Sequence, residues 1–302
     1  MDELQKHFER VIFEQNNQGL SDFEGYSPAE MRFILYDTFG DNSPIQIREL
    51  AGSDYKRIPI LNQIKYLLHL VDNQGELKLT NKGYLLTKIV SEIYSQGFIK
   101  EEHIESGISK LYKETDSITI NLTRILIEIS GLVKKRNNKL SLTKKGKSII
   151  GNDFKLLSLI FRILGNKFNW AYYDGYGQNS IGQVGFGFTL ILLGKYGAEK
   201  RIDKFYSDKY FKAFPDSIDE ITDSYFDTNQ VQAEKCYSLR TFDRFLDYFG
   251  LVKIESKDRI FADKYVTKTE LFDKLIKSTP HNNGNRCTTP QLFRSSNENK
   301  AL

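Results

Sequence analysis

The sequence predicts a mainly α protein with small β-hairpins, built from tandem helix–hairpin units plus an aromatic-rich helical insert. Three observations predict it. Apolar residues recur at helical spacing through most of the 302 residues. Short alternating strands follow turn residues. One phrase also repeats: Glu76-Leu77-Lys78-Leu79-Thr80-Asn81-Lys82-Gly83 matches Lys139-Leu140-Ser141-Leu142-Thr143-Lys144-Lys145-Gly146, each after a Leu-Val pair. A chain of this length can bury two or three small cores.

Leu4, Phe8, Val11 and Ile12 give residues 2–15 an apolar helical stripe. Ser27-Pro28-Ala29-Glu30 is a helix start, with Ser as cap, Pro in the first turn and Glu at the third position. A third helix spans residues 58–71, and Asn73-Gln74-Gly75 turns into the strand Glu76–Leu79. Thr80 is expected to cap a helix running to Ser95. Ile104, Ile108, Leu111 and Tyr112 predict another over 101–112, and a further helix covers 118–130. The hairpin 132–142 follows, and Thr143 restarts a helix. Residues 154–168, 186–196 and 202–214 read as helices, the first two separated by the loop NWAYYDGYGQNSIGQVGFG. Gly182, Gly185 and Gly187 lack the dinucleotide spacing and suit close helix approach. A third, looser copy of the phrase occupies 238–276, with Thr267 and Glu270 as its expected capping box.

These elements divide the chain into unit 1 (1–79, with acidic N-terminal helices), unit 2 (80–151, with the basic hairpin), the insert (152–230), unit 3 (231–278) and a polar tail (279–302). The tail composition predicts disorder. Cys236 and Cys287 make no disulfide framework, which suits a reducing cytoplasm. The N-terminus lacks the apolar run of a signal peptide. The most apolar stretch, residues 186–193, is far short of the roughly 20 residues that span a bilayer. No membrane association is expected.

Net charge is +4 but unevenly spread: −5 over residues 1–57, +6 over 58–151 and +3 beyond. An acidic head and a basic middle can attract a polyanion, or each other. The basic excess concentrates in Lys134, Lys135, Arg136, Lys139, Lys144, Lys145 and Lys147, seven cations in fourteen residues without an acid. Such a cluster suits phosphate contact, because affinity grows with each phosphate neutralised. The same lysines also suit a solvated hairpin edge kept soluble by charge.

Three helices followed by a two-stranded hairpin resemble the winged helix–turn–helix superfamily, over residues 1–150 and more loosely 182–277. In the second copy the helices would be 80–95, 101–112 and 118–130, and the wing 132–142. The phrases LKLTNKGYLLTKIVSEIY and GLVKKRNNKLSLTKKG also look like a bacterial family of uncharacterised proteins related to plasmid ORF-3-type proteins. The winged-helix resemblance implies nucleic-acid binding, DNA more than RNA, with the third helix in the groove and the wing on phosphates. It implies groove-facing Asn121, Thr123, Arg124 and Glu128, with Asn62, Gln63, Lys65 and His69 in the first copy and Arg240, Asp243, Arg244 and Asp247 in the third. Arg124 and the seven hairpin cations are the candidate contacts. The alternative is a protein-interaction scaffold that uses Trp170, Tyr172, Tyr173 and Tyr176 in the loop 169–187. Those aromatics also suit a plug over a helical core, the more usual role of such a loop. His7, His69, His103 and His281 are scattered, and no nucleophile, metal or phosphate-loop motif appears. A non-enzymatic protein without metal or cofactor is expected.

Overall fold

A computed structural model describes residues 2–172, 174–221, 227–256 and 263–281. Helix α1 (Asp2–Asn17) and helix α2 (Pro28–Tyr36) open the chain. Ser27 and Glu30 close the reciprocal cap that their spacing predicts, each side chain accepting the other's backbone N–H. Strand β1 (Ile45–Ile47) and the single turn α3 (Gly52–Tyr55) lead into the first of two assemblies with a common order of elements.

The first assembly contains α4 (Pro59–Gln74), β2 (Leu77–Lys78), α5 (Thr87–Ser95), the one-turn α6 (Glu102–Glu105), α7 (Ile118–Ile129), β3 (Val133–Arg136) and β4 (Lys139–Leu142). Its sheet runs β2-β4-β3, all antiparallel. Asn137 and Asn138 turn the hairpin with φ of 49° and 53°. Two successive left-handed residues match the twist of the flanking strands, which explains why asparagine stands at both positions.

Several expectations change here. The first repeated phrase makes no hairpin of its own, since Leu77 pairs with Leu140 and Lys78 with Lys139. A two-residue strand cannot bury Leu77 and Leu79 alone, so it joins the edge that the second phrase supplies. Thr80 caps no helix. Its Oγ accepts from Tyr84 N–H in a turn, Leu79 bridges Leu85, and α5 starts only at Thr87. The helix expected over 101–112 ends after one turn near Gly107, whose φ is +76°. Ile108 and Tyr112 consequently lie exposed.

Helix α8 (Lys144–Ile149) is capped by Thr143 as its sequence predicts, and α9 (Asp153–Asn166) follows. The second assembly contains α10 (Phe186–Tyr196), β5 (Arg201–Ile202), α11 (Asp203–Ala213), α12 (Asn229–Ser238) continuing into a π-helical stretch (Leu239–Leu246), β6 (Val252–Ser256) and β7 (Lys264–Lys268). Its sheet runs β5-β7-β6, repeating the earlier order. Thr269 caps α13 (Glu270–Leu275), whereas Thr267 sits within β7. Strand β8 (Ile276–Ser278) closes the fold against β1. Of the tail expected to be disordered, Thr279 donates to Pro44 and His281 Nδ1 meets Glu30 at 2.6 Å. Residues 282–302, with Cys287, lie outside the described residues.

One apolar core joins both assemblies, from Tyr26 to Ile276. Phe161 of α9 sits at its centre, with ring centroids 5.5 Å from Phe39, 5.0 Å from Phe245 and 4.5 Å from Phe249. At Gly187, α10 lies so close to α2 that a Cβ would stand 2.9 Å from the Ile34 carbonyl oxygen. The protein is mainly helical with small antiparallel sheets, as its patterning predicts.

The N-terminal acids tie down this core rather than the basic hairpin. Glu24, held at φ 57°, receives Lys195 and Lys209, both at 2.6 Å, and Asp22 pairs with Lys212. Burial would raise the Glu24 pKa, but these lysines and Tyr196 hold it down at about 2, below the usual 4.5. The depressed folded value means that the stabilisation is complete above pH 4.5 and is lost as pH falls through 2. Glu24→Gln is therefore expected to lower stability by about 2 kcal/mol at neutral pH. Thermal melts of variant and wild type should converge as pH falls from 5 towards 2.

Candidate functional site

In the hairpin β3–β4, strand β4 alternates buried and half-buried residues, whereas on β3 only Val133 is buried and Lys134, Lys135 and Arg136 are all exposed. Val133, Leu140 and Leu142 are buried beneath the hairpin, with Leu77 from β2. The opposite face carries Lys134 and Arg136 on β3, Lys139 on β4 and Lys78 on β2. Register sets Lys78, Lys139 and Arg136 abreast across the three strands, with Lys134 opposite Ser141. Neighbouring strands are about 4.8 Å apart, so three cations stand closer together than like charges directly opposite each other favour. Among the described residues, Glu76 is the one acid paired into this group, 2.6 Å from Lys139. Lys135 lies at the sheet edge, its side chain reaching over Gly83, where φ is +81° and an added Cβ would meet the ammonium.

The α8 lysines differ among themselves. Lys145 donates to the Ser130 carbonyl at 2.8 Å, satisfying the end of α7. Lys144 and Lys147 are exposed. Cations in the first turn of a helix oppose its dipole, so this sequence does not serve the stability of α8. Among the described residues, the side chains of Lys134, Lys135, Arg136, Lys144 and Lys147 make no hydrogen bond or close ion pair. The cations of the second assembly contrast sharply: Lys200 pairs with Glu255, Lys204 with Asp208 and Glu234, and Lys264 with Asp243.

Arg124 is not a surface contact. Its Nε meets Glu114 at 2.6 Å and its Nη1 meets Glu128 at 2.5 Å, and it is buried. Burial alone would lower its pKa, but the two carboxylates hold it raised. Glu114, itself fully buried, also accepts from Asn121 at 2.7 Å and Leu85 N–H at 2.5 Å. Thr123 is buried against Gln63, whose amide donates to it at 2.8 Å. Asn121, Thr123 and Arg124 therefore face inward, because Gln63 of α4 and Glu114 in the turn before α7 receive them on the side that a bare three-helix unit would expose. Lys65 pairs with Asp153 of α9. The π-helical stretch behaves alike: Arg240 is buried, and Asp243 pairs with Lys264.

The aromatic loop is a plug. Trp170 is buried, donates Nε1–H to the Leu164 carbonyl at 2.6 Å and packs 4.8 Å from Phe245. Tyr176 is half-buried, and burial raises its pKa. Tyr172 is 39% exposed and rests edge-on to Phe168. Tyr173 lies outside the described residues. Arg240 organises the loop from below: Nε donates to Asp174, Nη1 to Asn179 and Ile181, and Nη2 to the Gly177 carbonyl. Beside Tyr172 lies a small cavity of about 30 Å³, lined by Ile118, Leu122, Phe168 and Tyr248 together with Arg240 and Arg244.

Among the described residues, no cluster of His, Cys, Asp and Glu could hold a metal ion, and no helix is long and apolar enough to cross a membrane. The Cys236 thiol is buried, which pushes its pKa up to about 12 and leaves it protonated and unreactive at neutral pH.

The family model of the Y4jL N-terminal domain matches residues 56–155, the segment holding α4 through α8 and the basic hairpin. No curated protein and no solved structure matches the chain.

Proposed function

We propose that this protein binds nucleic acid, DNA rather than RNA, without catalysis, through the outer face of the β2–β4–β3 sheet. On this reading the two assemblies are winged-helix-like modules, and among the described residues the cations of the first wing are the less paired. The observation that carries it is the row Lys78, Lys139 and Arg136, joined by Lys134 and balanced by a single carboxylate. Such a row sacrifices sheet stability and suits an extended polyanion. With Asn121, Thr123, Arg124 and Arg240 turned inward, the contact is to phosphates and sequence is not read.

The test is a fluorescence-polarisation titration with labelled random duplex DNA. Engagement of about four phosphates predicts an affinity loss on the order of 100-fold between about 50 and 200 mM salt. Absence of binding at the lower salt, or binding indifferent to salt, overturns the reading.

A scaffold role is the second reading, and one observation favours it. The apolar stripe of α1 is uncovered, with Leu4 62%, Phe8 57% and Ile12 55% exposed. That stripe suits a protein contact better than the plugged loop does, and it predicts association that persists at high salt.

A further inference from the structure

Glu76 stands apart from every other acid near the hairpin. It follows Gly75, which ends α4 with φ 71°, and strand alternation puts it on the same side of β2 as Lys78. Its Oε2 lies 2.6 Å from Lys139 Nζ, diagonally across the sheet. The Lys139 hydrogen bond, the Lys139 charge and the more distant charge of Lys134 hold its carboxyl below the usual range. A carboxylate oxygen thus sits within the group of cations assigned above to phosphate.

Resting on that assignment, we infer that Glu76 is a built-in competitor for the bound polyanion: its carboxylate occupies a phosphate position on the sheet and must leave Lys139 when a phosphodiester backbone docks. Geometry supports exchange rather than permanent occupation. The side chains of Lys139 and Glu76 are 43% and 56% exposed, and exposed pairs are held weakly. The buried pairs of the same protein show the contrast, since Arg124 and Glu114 are sealed and cannot be exchanged. An ammonium that trades a carboxylate oxygen for a phosphate oxygen keeps a charged partner throughout, so docking leaves no cation desolvated and unpaired. Glu76 therefore caps affinity: the incoming backbone meets four cations and one anion instead of four free cations. For a protein that grips phosphates without reading bases, such a cap limits adhesion to every polyanion it encounters.

The experiment compares wild type, Glu76→Gln and Glu76→Asp in the duplex titration, with thermal melts to verify that each variant is folded. The inference expects Glu76→Gln to bind about two- to five-fold more tightly at low salt, with the salt slope little changed because the same four cations engage phosphate. Glu76→Asp, with a shorter carboxylate, should fall between. Lys139→Gln should cost more in the Glu76→Gln background than in wild type, because Lys139 is then fully available to phosphate. Unchanged or weaker binding by a folded Glu76→Gln protein overturns the inference. If Lys134→Glu/Arg136→Glu still abolishes binding in that case, the nucleic-acid reading stands without it. If wild type itself fails to bind at low salt, both fall together.

Discussion

Replacing Arg240 by methionine is expected to destabilise the protein by about 3–5 kcal/mol, the largest effect of any single substitution considered. The side chains of Arg240 and Asp174 are both fully buried. Arg240 Nη1 donates to the Asn179 side chain at 2.6 Å, to its carbonyl at 3.0 Å and to the Ile181 carbonyl at 3.2 Å, while Nη2 reaches the Gly177 carbonyl at 3.2 Å. Methionine fills most of the volume but strands a buried carboxylate and several acceptors of the loop. A lysine should fail nearly as badly, because one point charge cannot reproduce a planar fork of donors. The double variant Arg240→Met/Asp174→Asn should recover part of the loss, since it removes the uncompensated charge. Urea unfolding measures the loss, and faster proteolysis within residues 170–181 would place it in the loop. A loss below about 1 kcal/mol would show that the clamp is not what holds the plug over the core.

Much of the fold is legible in the sequence because it is local. The Ser27–Glu30 cap, the Thr143 helix start and the Asn137-Asn138 turn each depend on residues within four positions, whereas the last helix is capped by Thr269 and not by the expected Thr267. What is not legible depends on remote partners. Strand β2 reads like half of a hairpin, but its partner is Leu140, 63 positions on, and nothing in a two-residue strand specifies that register. Arg240 and Arg124 look like groove-facing cations because helical spacing reveals which face a residue shares and not what covers that face. Asp174 lies 66 residues from Arg240, beyond any local pattern. Arg124 gave one local clue, Glu128 at i+4, which fits an ion pair as well as it fits a solvated surface. The hairpin was easier: alternation alone separates Lys134 and Arg136 from Val133, and the exposed face is the one the sequence indicates. For the loop, glycines and tyrosines allowed either a gripping surface or a plug, and the plug forms: Trp170 needs a partner for its indole N–H and finds one in the Leu164 carbonyl.

Charge reversal of Lys134, Lys135 and Arg136 to Glu should have the largest effect on binding while leaving the fold intact. All three are exposed, and none pairs with another described side chain. Reversal also removes the like-charge opposition of Arg136 and Lys139. Thermal stability should therefore stay the same or rise slightly. Binding should not survive, because three attractions become three repulsions on one small sheet. Affinity for duplex DNA at low salt is expected to fall by more than about 100-fold, with the salt slope collapsing towards zero. Arg124→Met separates the two kinds of arginine. It leaves Glu114 buried without its cation, so it should cost about 3 kcal/mol of stability and change the affinity of the folded fraction little. If the triple reversal left binding intact, phosphates would have to be held elsewhere. Lys78, Lys144 and Lys147, further cations of the hairpin region whose side chains have no partner among the described residues, would then be the ones to reverse next. If it abolished both folding and binding, the outer face would be part of the scaffold, contrary to its exposure. A stable protein that no longer binds is the outcome that ties the unpaired cations to function.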